Sequence, residues 1–429
     1  MTEAEQLDLL IRRTRDLPHQ KAVQEVRDYF RALPAASARA FAENPPEQLS
    51  ALDGAPLQLR YDASRVILLA AQRRLRDAVE GGESTPEQHK RLDTVSEMLW
   101  PVRKGLDVDA AGNRIEVFGS RQFLSVDVEG QGRMIEVLGD LETVRNVVVL
   151  IPGLGNDLDG VRAQMDRAQQ LKNQVGSKTA VVVWKDYDAP LTLEDAMSKE
   201  RARAALPRLS RFEAGVEVVK APYAETTFIG NSYGSLVLGQ ALMEGVDGRL
   251  PDGVSPDRAV LVGCPGIDQG VTSGAQITPP GTRLYVARAK GDYISYLQEH
   301  GPDPADFPDV FRFETERGDV HVRGHMSYFE LNSESFRNLG RIGRGELAAV
   351  TAAARTTANQ ESRVLPGISW SEPLRRVAQT PAAVTLAKVF DGVMALKKIS
   401  SGPKDQPLDG ARDRRTGGGP AREPEGPAR

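Results

Sequence analysis

The spacing of apolar residues divides the chain into regions of different texture. Over residues 1–102 they recur every three or four positions: Leu7, Leu10 and Ile11, then Val23, Val26 and Phe30, then Val66, Leu69, Ala70 and Leu75. That period marks one face of an α-helix, so a helical N-terminal region is expected. Pro18, Leu33-Pro34, Asn44-Pro45-Pro46 and Gly81-Gly82 punctuate it, and Ser84-Thr85-Pro86-Glu87 has the form of a helix start. From about residue 120 the texture changes. Segments 123–128 and 134–138 flank the turn Glu129-Gly130-Gln131-Gly132 and predict a β-hairpin.

Unbroken apolar runs follow at 147–151, 180–184, 226–229, 259–262 and 284–287, with a weaker one at 311–313. Runs of this kind suit strands buried on both faces. Most of the gaps between them are long enough for a crossover helix. A hairpin followed by alternating strands and helices predicts an α/β domain over 120–345, built on a mostly parallel, doubly wound sheet. Helical texture returns at 346–355 and 381–398, where Val384, Leu386, Val389, Phe390, Val393 and Leu396 outline one face, so 346–399 is expected to be a helical C-terminal extension. Residues 400–429 are Pro, Gly and charge with almost nothing apolar, the signature of a disordered tail.

The junction at 226–242 carries the chemistry. Gly230-Asn231-Ser232-Tyr233-Gly234 lies between a β-prone run and the helix-like Ser235-Leu236-Val237-Leu238-Gly239-Gln240-Ala241-Leu242. A Gly-x-Ser-x-Gly at a strand-to-helix turn describes a nucleophile elbow, where glycines clear space for neighbouring backbone and the serine stands exposed. A Gly-rich β–α turn without chemistry is the alternative. A serine hydroxyl needs a base within reach, and in an α/β-hydrolase the order along the chain is nucleophile, acid, histidine. Of five histidines, His19 and His89 precede Ser232 and His300 falls in a predicted loop. His321 and His325 lie just past the last weak strand. His325 is preferred, because it precedes what reads as a helix start at Met326-Ser327-Tyr328-Phe329, whereas His321 alternates with Val320 and Val322.

Asp292, in Lys290-Gly291-Asp292 beyond the run at 284–287, is the leading acid. Asp268, one strand earlier, is the competitor, and Asp319 lies too near the histidines. A helix N-cap is the non-catalytic reading of Asp292. An oxyanion hole needs two backbone donors. One falls to Tyr233, the residue after the nucleophile, and the other to Leu154 or Gly155 in the loop Pro152-Gly153-Leu154-Gly155-Asn156-Asp157. That loop has neither a third glycine at dinucleotide spacing nor a Walker lysine, which argues against a nucleotide site.

Composition narrows the field. The net charge of -4 offers no basic field for nucleic acid. A single cysteine, Cys264, excludes an internal disulfide framework and a Cys-based zinc cluster, and its apolar flanks predict a core thiol. Met1-Thr2-Glu3-Ala4-Glu5-Gln6 lacks the basic, then apolar, form of a secretory signal, and no apolar run approaches a membrane span. A cytoplasmic protein is therefore expected, with export lacking a cleaved signal as the alternative.

These landmarks, in order, resemble an α/β-hydrolase family found mainly in actinobacteria and catalogued as a domain of unknown function. The resemblance covers residues 44 to about 345. Asn44-Pro45-Pro46, Leu52-Asp53-Gly54 and Arg60-Tyr61-Asp62-Ala63-Ser64-Arg65 are similar to its helical N-terminal signature. The hairpin at 123–139, the strand and loop at 148–155, and Val183-Trp184 with Tyr187-Asp188-Ala189-Pro190 are similar to its sheet. Gly230-Asn231-Ser232-Tyr233-Gly234-Ser235 resembles its elbow, Gly291-Asp292 its acid turn and His325-Met326-Ser327-Tyr328-Phe329 its histidine turn. The resemblance implies Ser232, Asp292 and His325 as a triad. Asn231 stands where the family usually has histidine, and Asn156-Asp157 where Gly-Thr is more common. The expectation is a serine hydrolase acting on a small-molecule ester or related acyl bond without metal or organic cofactor. The alternative is a hydrolase-fold protein that binds a protein partner through its helical extensions.

Overall fold

A computed structural model describes residues 2–42, 46–82, 84–108, 114–246, 253–317, 320, 322 and 324–358. The helix expected at 381–398, the tail at 400–429, and His321 and Asp319 lie outside the described residues.

Among the described residues six helices come first: α1 (Glu3–Thr14), α2 (His19–Ala32), α3 (Ala35–Ala40), α4 (Pro46–Ser50), α5 (Leu57–Glu80) and α6 (Pro86–Leu99). Thr85 caps α6 through a reciprocal pair of hydrogen bonds with Gln88 and leaves Pro86 at the first helical position, as the sequence predicts. Leu7, Leu10, Val26, Phe30, Leu49 and Ala63 form a core of their own. Further along α5, Leu68, Ala71 and Leu75 turn to the sheet instead. Arg60, 3% exposed, joins the two regions. It pairs with Asp53 at 2.8 Å and donates to the carbonyls of Ser50 and Leu124 at 2.9 and 3.2 Å.

Next comes a separate antiparallel ribbon that the sequence reading left unassigned, β1 (Val102–Val108) with β2 (Arg114–Gly119). Ile115, Val117 and Phe118 of β2 stay exposed, so no alternation of buried and solvent positions marks it.

The main sheet runs β10-β9-β8-β7-β5-β6-β4-β3. The hairpin β3 (Gln122–Asp127) and β4 (Arg133–Leu138) is antiparallel to the rest. The others are parallel: β5 (Asn146–Ile151), β6 (Thr179–Lys185), β7 (Glu225–Asn231), β8 (Arg258–Val262), β9 (Arg283–Ala287) and the two-residue β10 (Phe311–Arg312). Helix α7 (Arg162–Val175) joins β5 to β6, α8 (Leu193–Ala196) and α9 (Glu200–Val219) join β6 to β7, and α10 (Tyr233–Val246) leads from β7 toward β8. Alternate residues of β5 point to opposite faces. Val147, Val149 and Ile151 pack with α9 and α10, while Val148 and Leu150 pack with α5, α7 and α12 (Glu334–Gly343). Both faces are covered, which is why these strands read as continuous apolar runs.

Two expectations change near the C-terminal edge. The helix anticipated at Met326 begins only at Glu334, where Ser333 accepts from the Phe336 N–H at 3.0 Å. Residues 346–355 are not an α-helix. One 3-10 turn, Leu347–Ala349, precedes extended chain in which Ala352 bridges to Phe313 beside β10. Asn338 holds Thr351 at 2.8 and 3.1 Å, and Arg288 donates to the Thr356 carbonyl at 2.7 Å, so sheet-edge contacts override the local helical spacing. Among the described residues no helix is long and apolar enough to cross a membrane.

Candidate active site

The centre of the sheet ends in a sharp turn between β7 and α10. Ser232 occupies it with φ of 57°, a left-handed backbone that few non-glycine residues adopt. The turn fits only because its neighbours are glycines. A Cβ on Gly234 would lie 2.1 Å from the Ile151 carbonyl oxygen, and one on Gly230 would lie 2.6 Å from that of Gly234. Ser235 locks the geometry, its one hydroxyl proton shared between the carbonyls of Gly230 at 2.7 Å and Val262 at 3.0 Å, while the Ser232 N–H also reaches Val262 O at 2.9 Å.

Two loops at the same end of the sheet meet Ser232. His325 Nε2 lies 2.7 Å from Ser232 Oγ, and its Nδ1 lies 2.9 Å from Asp292 Oδ1. Asp292 follows β9 and is fully buried. It also caps α11 (Tyr293–Leu297), accepting from the N–H groups of Ile294 and Ser295, so the N-cap reading and the partner-of-histidine reading describe one residue. Tyr328 Oη donates to Asp292 Oδ2 at 2.5 Å and accepts from the Ala289 N–H at 2.8 Å. Burial opposes the charge on Asp292, but His325, the Tyr328 hydroxyl and the Ser295 N–H outweigh it and hold the carboxyl below its ordinary range. Burial and the neighbouring carboxylate push the Tyr328 hydroxyl far up, which keeps it a donor.

The competitor acid is committed elsewhere. Asp268 pairs with Lys199 at 2.6 Å, and that hydrogen bond lowers its pKa. His19, His89 and His300 bond to Ser210, Ser84 and the Ala196 carbonyl, at 3.2, 2.9 and 2.8 Å. Cys264 is buried, and desolvation drives its thiol well above the usual range, consistent with a core role.

The loop after β5 lies against the elbow, for a Cβ on Gly153 would come within 2.9 Å of the Tyr233 nitrogen. Of its two proposed donors, Gly155 does not fit. Its N–H donates to the Pro190 carbonyl at 2.8 Å, and one N–H makes one good hydrogen bond. Leu154 is the remaining candidate beside Tyr233. The loop is braced by Asn156, whose Nδ2 donates to the carbonyls of Gly153 at 2.7 Å and Leu154 at 3.1 Å. Tyr328, Ser295 and Asn156 have site contacts that sequence reasoning did not assign. Tyr328 stood inside the histidine motif, but nothing local ties it to a carboxylate 36 positions away.

Residues 127–302 match the sequence model of a family described as Alpha/beta hydrolase. The uncharacterized protein Rv2079 of Mycobacterium tuberculosis is 27% identical over 380 residues, covering 75% of this chain and 55% of that protein. The uncharacterized Mb0988c of Mycobacterium bovis is 28% identical over 198 residues, 42% of this chain and 71% of its own. The chain thus spans about half the length of Rv2079. Among solved structures, esterase LipW from Mycobacterium marinum covers 72% of this chain and 95% of its own at 12% identity and a TM-score of 0.32. Carboxyl esterase 2 from Tuber melanosporum covers 51% and 83% at 12% identity and a TM-score of 0.31. Superpositions this loose add nothing to the topology. The family match extends from before β4 through α11, across the parallel core and the elbow, and the chain has the α/β-hydrolase fold.

Proposed function

We propose that the protein is a serine hydrolase cleaving an ester or related acyl bond of a small molecule, with Ser232 as nucleophile, His325 as general base and Asp292 as the carboxylate that orients it. His325 Nε2 takes the Ser232 proton as Oγ adds to the acyl carbonyl. The oxyanion forms against the N–H groups of Tyr233 and Leu154. Collapse expels the leaving group, which receives the proton from His325. Water, deprotonated by the same nitrogen, then adds to the acyl-enzyme, and collapse releases the acid as His325 returns the proton to Ser232 Oγ. Asp292 stays ionised throughout, fixing the imidazole tautomer and stabilising the imidazolium.

The observation that carries this reading is the unbroken line of hydrogen bonds from Ser232 Oγ through His325 to a buried Asp292, 2.7 and 2.9 Å long, starting from a serine at φ 57°. The test is turnover of p-nitrophenyl esters of graded acyl length. The parent hydrolyses at least one, and Ser232→Ala lowers its kcat by roughly 10³-fold or more without changing the melting temperature. Retention of most activity by Ser232→Ala would remove Ser232 as the nucleophile.

A further inference from the structure

We infer that Asn156 is a positioning residue that sets the direction of the second oxyanion donor, and that Gln164 and Arg167 act through it. The inference rests on the reading of Leu154 as that donor.

The Gly153 carbonyl and the Leu154 N–H belong to one planar peptide, so whatever holds the carbonyl aims the N–H. Among the described residues the hydrogen bond that holds that carbonyl comes from Asn156 Nδ2, at 2.7 Å. The same nitrogen takes the Leu154 carbonyl at 3.1 Å, and the next N–H, that of Gly155, is fixed on Pro190. Two successive peptides are therefore pinned, and among the described residues the Leu154 N–H has no backbone partner. Asn156 is 7% exposed, so water does not readily substitute for it.

A primary amide can face either way, and only one way works here. Asn156 Oδ1 accepts from Gln164 Nε2 at 2.7 Å, and Gln164 Oε1 accepts from Arg167 Nη1 at 2.9 Å. A guanidinium only donates and a carbonyl only accepts. With a donor at one end of the chain of bonds and acceptors at the other, turning either amide over would set donor against donor and acceptor against acceptor. Arg167 thus dictates the orientation of Gln164, and Gln164 that of Asn156. Gln164 and Arg167, three apart on α7, share a helix face. The Arg167 guanidinium lies 4.5 Å from the centre of the Phe329 ring, four residues past His325. The relay therefore starts beside the histidine segment and ends at the oxyanion peptide, linking both halves of the site.

The experiment compares Asn156→Asp, Gln164→Leu and their combination with the parent. It reads kcat and KM on the best p-nitrophenyl ester, the inhibition constant of an aryl trifluoromethyl ketone that adds to the serine, and the melting temperature. Asn156→Asp keeps the shape but presents oxygen where a donor is required. Its kcat should fall ~10²-fold, at the lower end of the loss on removing an oxyanion donor. KM should stay within about threefold, and ketone affinity should fall in parallel with kcat/KM. Gln164→Leu should lose about tenfold in kcat, with the double variant no worse than Asn156→Asp alone, as expected of residues acting in series. If Asn156→Asp does not fold, Gln164→Leu decides the matter alone. Unchanged kcat and ketone affinity in whichever variant folds would overturn the inference, as would losses confined to KM. A parent that turns over no ester and forms no ketone adduct removes the hydrolase reading, and this inference with it. An active parent with an unimpaired variant removes this inference alone.

Discussion

Ser232 holds a conformation that costs on the order of 1–3 kcal/mol for a non-glycine residue. Two hydrogen bonds across the elbow, each worth about 1 kcal/mol net, are of the size needed to offset much of it: Ser232 N–H to Val262, and the single Ser235 hydroxyl proton shared between the Gly230 and Val262 carbonyls. The strain is thus retained where it exposes a hydroxyl to His325. At Asp292 the same scale gives a testable expectation. Asp292→Asn preserves the shape, favours the wrong imidazole tautomer and removes the charge facing the imidazolium, so kcat should drop by roughly 10³- to 10⁴-fold. Asp268→Asn, which touches the Lys199 pair and the Gly270 N–H but neither Ser232 nor His325, should leave kcat within about twofold. Steady-state kinetics on one ester checks both, and the reverse ranking would reassign the acid. That Ser232, Asp292 and His325 would meet could be anticipated because a short motif and the order of chain landmarks are local information. The Tyr328 hydroxyl on Asp292, and the Gly155 N–H lost to Pro190, were not legible, because each depends on which distant loop arrives beside it.

At the scale of elements, legibility followed burial. The strands β5, β6, β8 and β9 were plain because both faces are covered and most of their residues are apolar, while the polar-rich β7 was marked by the elbow that follows it. The ribbon β1–β2 was missed although Arg114-Ile115-Glu116-Val117 alternates polar and apolar positions, a signal only four residues long in a strand that stays exposed. Residues 346–355 misled, since Leu347, Val350 and Ala354 keep helical spacing while Ala352 pairs with Phe313. Element packing also sets the tolerance of the elbow. In Gly234→Ala the new methyl would meet the Ile151 carbonyl of β5, backbone that cannot yield without moving the central strand. We expect the melting temperature to fall by roughly 5–10 °C, as for severe overpacking. Gly270→Ala, whose nearest neighbour would be 3.9 Å away, should leave it unchanged. Equal melting temperatures for the two variants would show that the elbow accommodates the extra carbon.

Across the molecule, the described helices of the N-terminal region are part of the packing. Asp53 and Arg60, in segments that carried the sequence resemblance, form a buried pair that also grips the hairpin through Leu124 O. Burial raises the Asp53 pKa and Arg60 counters it, so the pair contributes mainly if both members are present. Around that frame the two faces of the sheet are filled and the carboxyl ends of β7 and β9 lead into Ser232 and Asp292, where an open α/β sheet gathers its chemistry. The central claim, that Ser232 is an activated nucleophile, is tested most directly by a fluorophosphonate, in which the Ser232 Oγ–P bond forms as fluoride leaves. Intact mass and peptide mapping of the labelled protein should show one adduct, on Ser232, absent from Ser232→Ala and strongly slowed in His325→Ala. No adduct on the folded parent, or an adduct that persists in Ser232→Ala, would contradict the account.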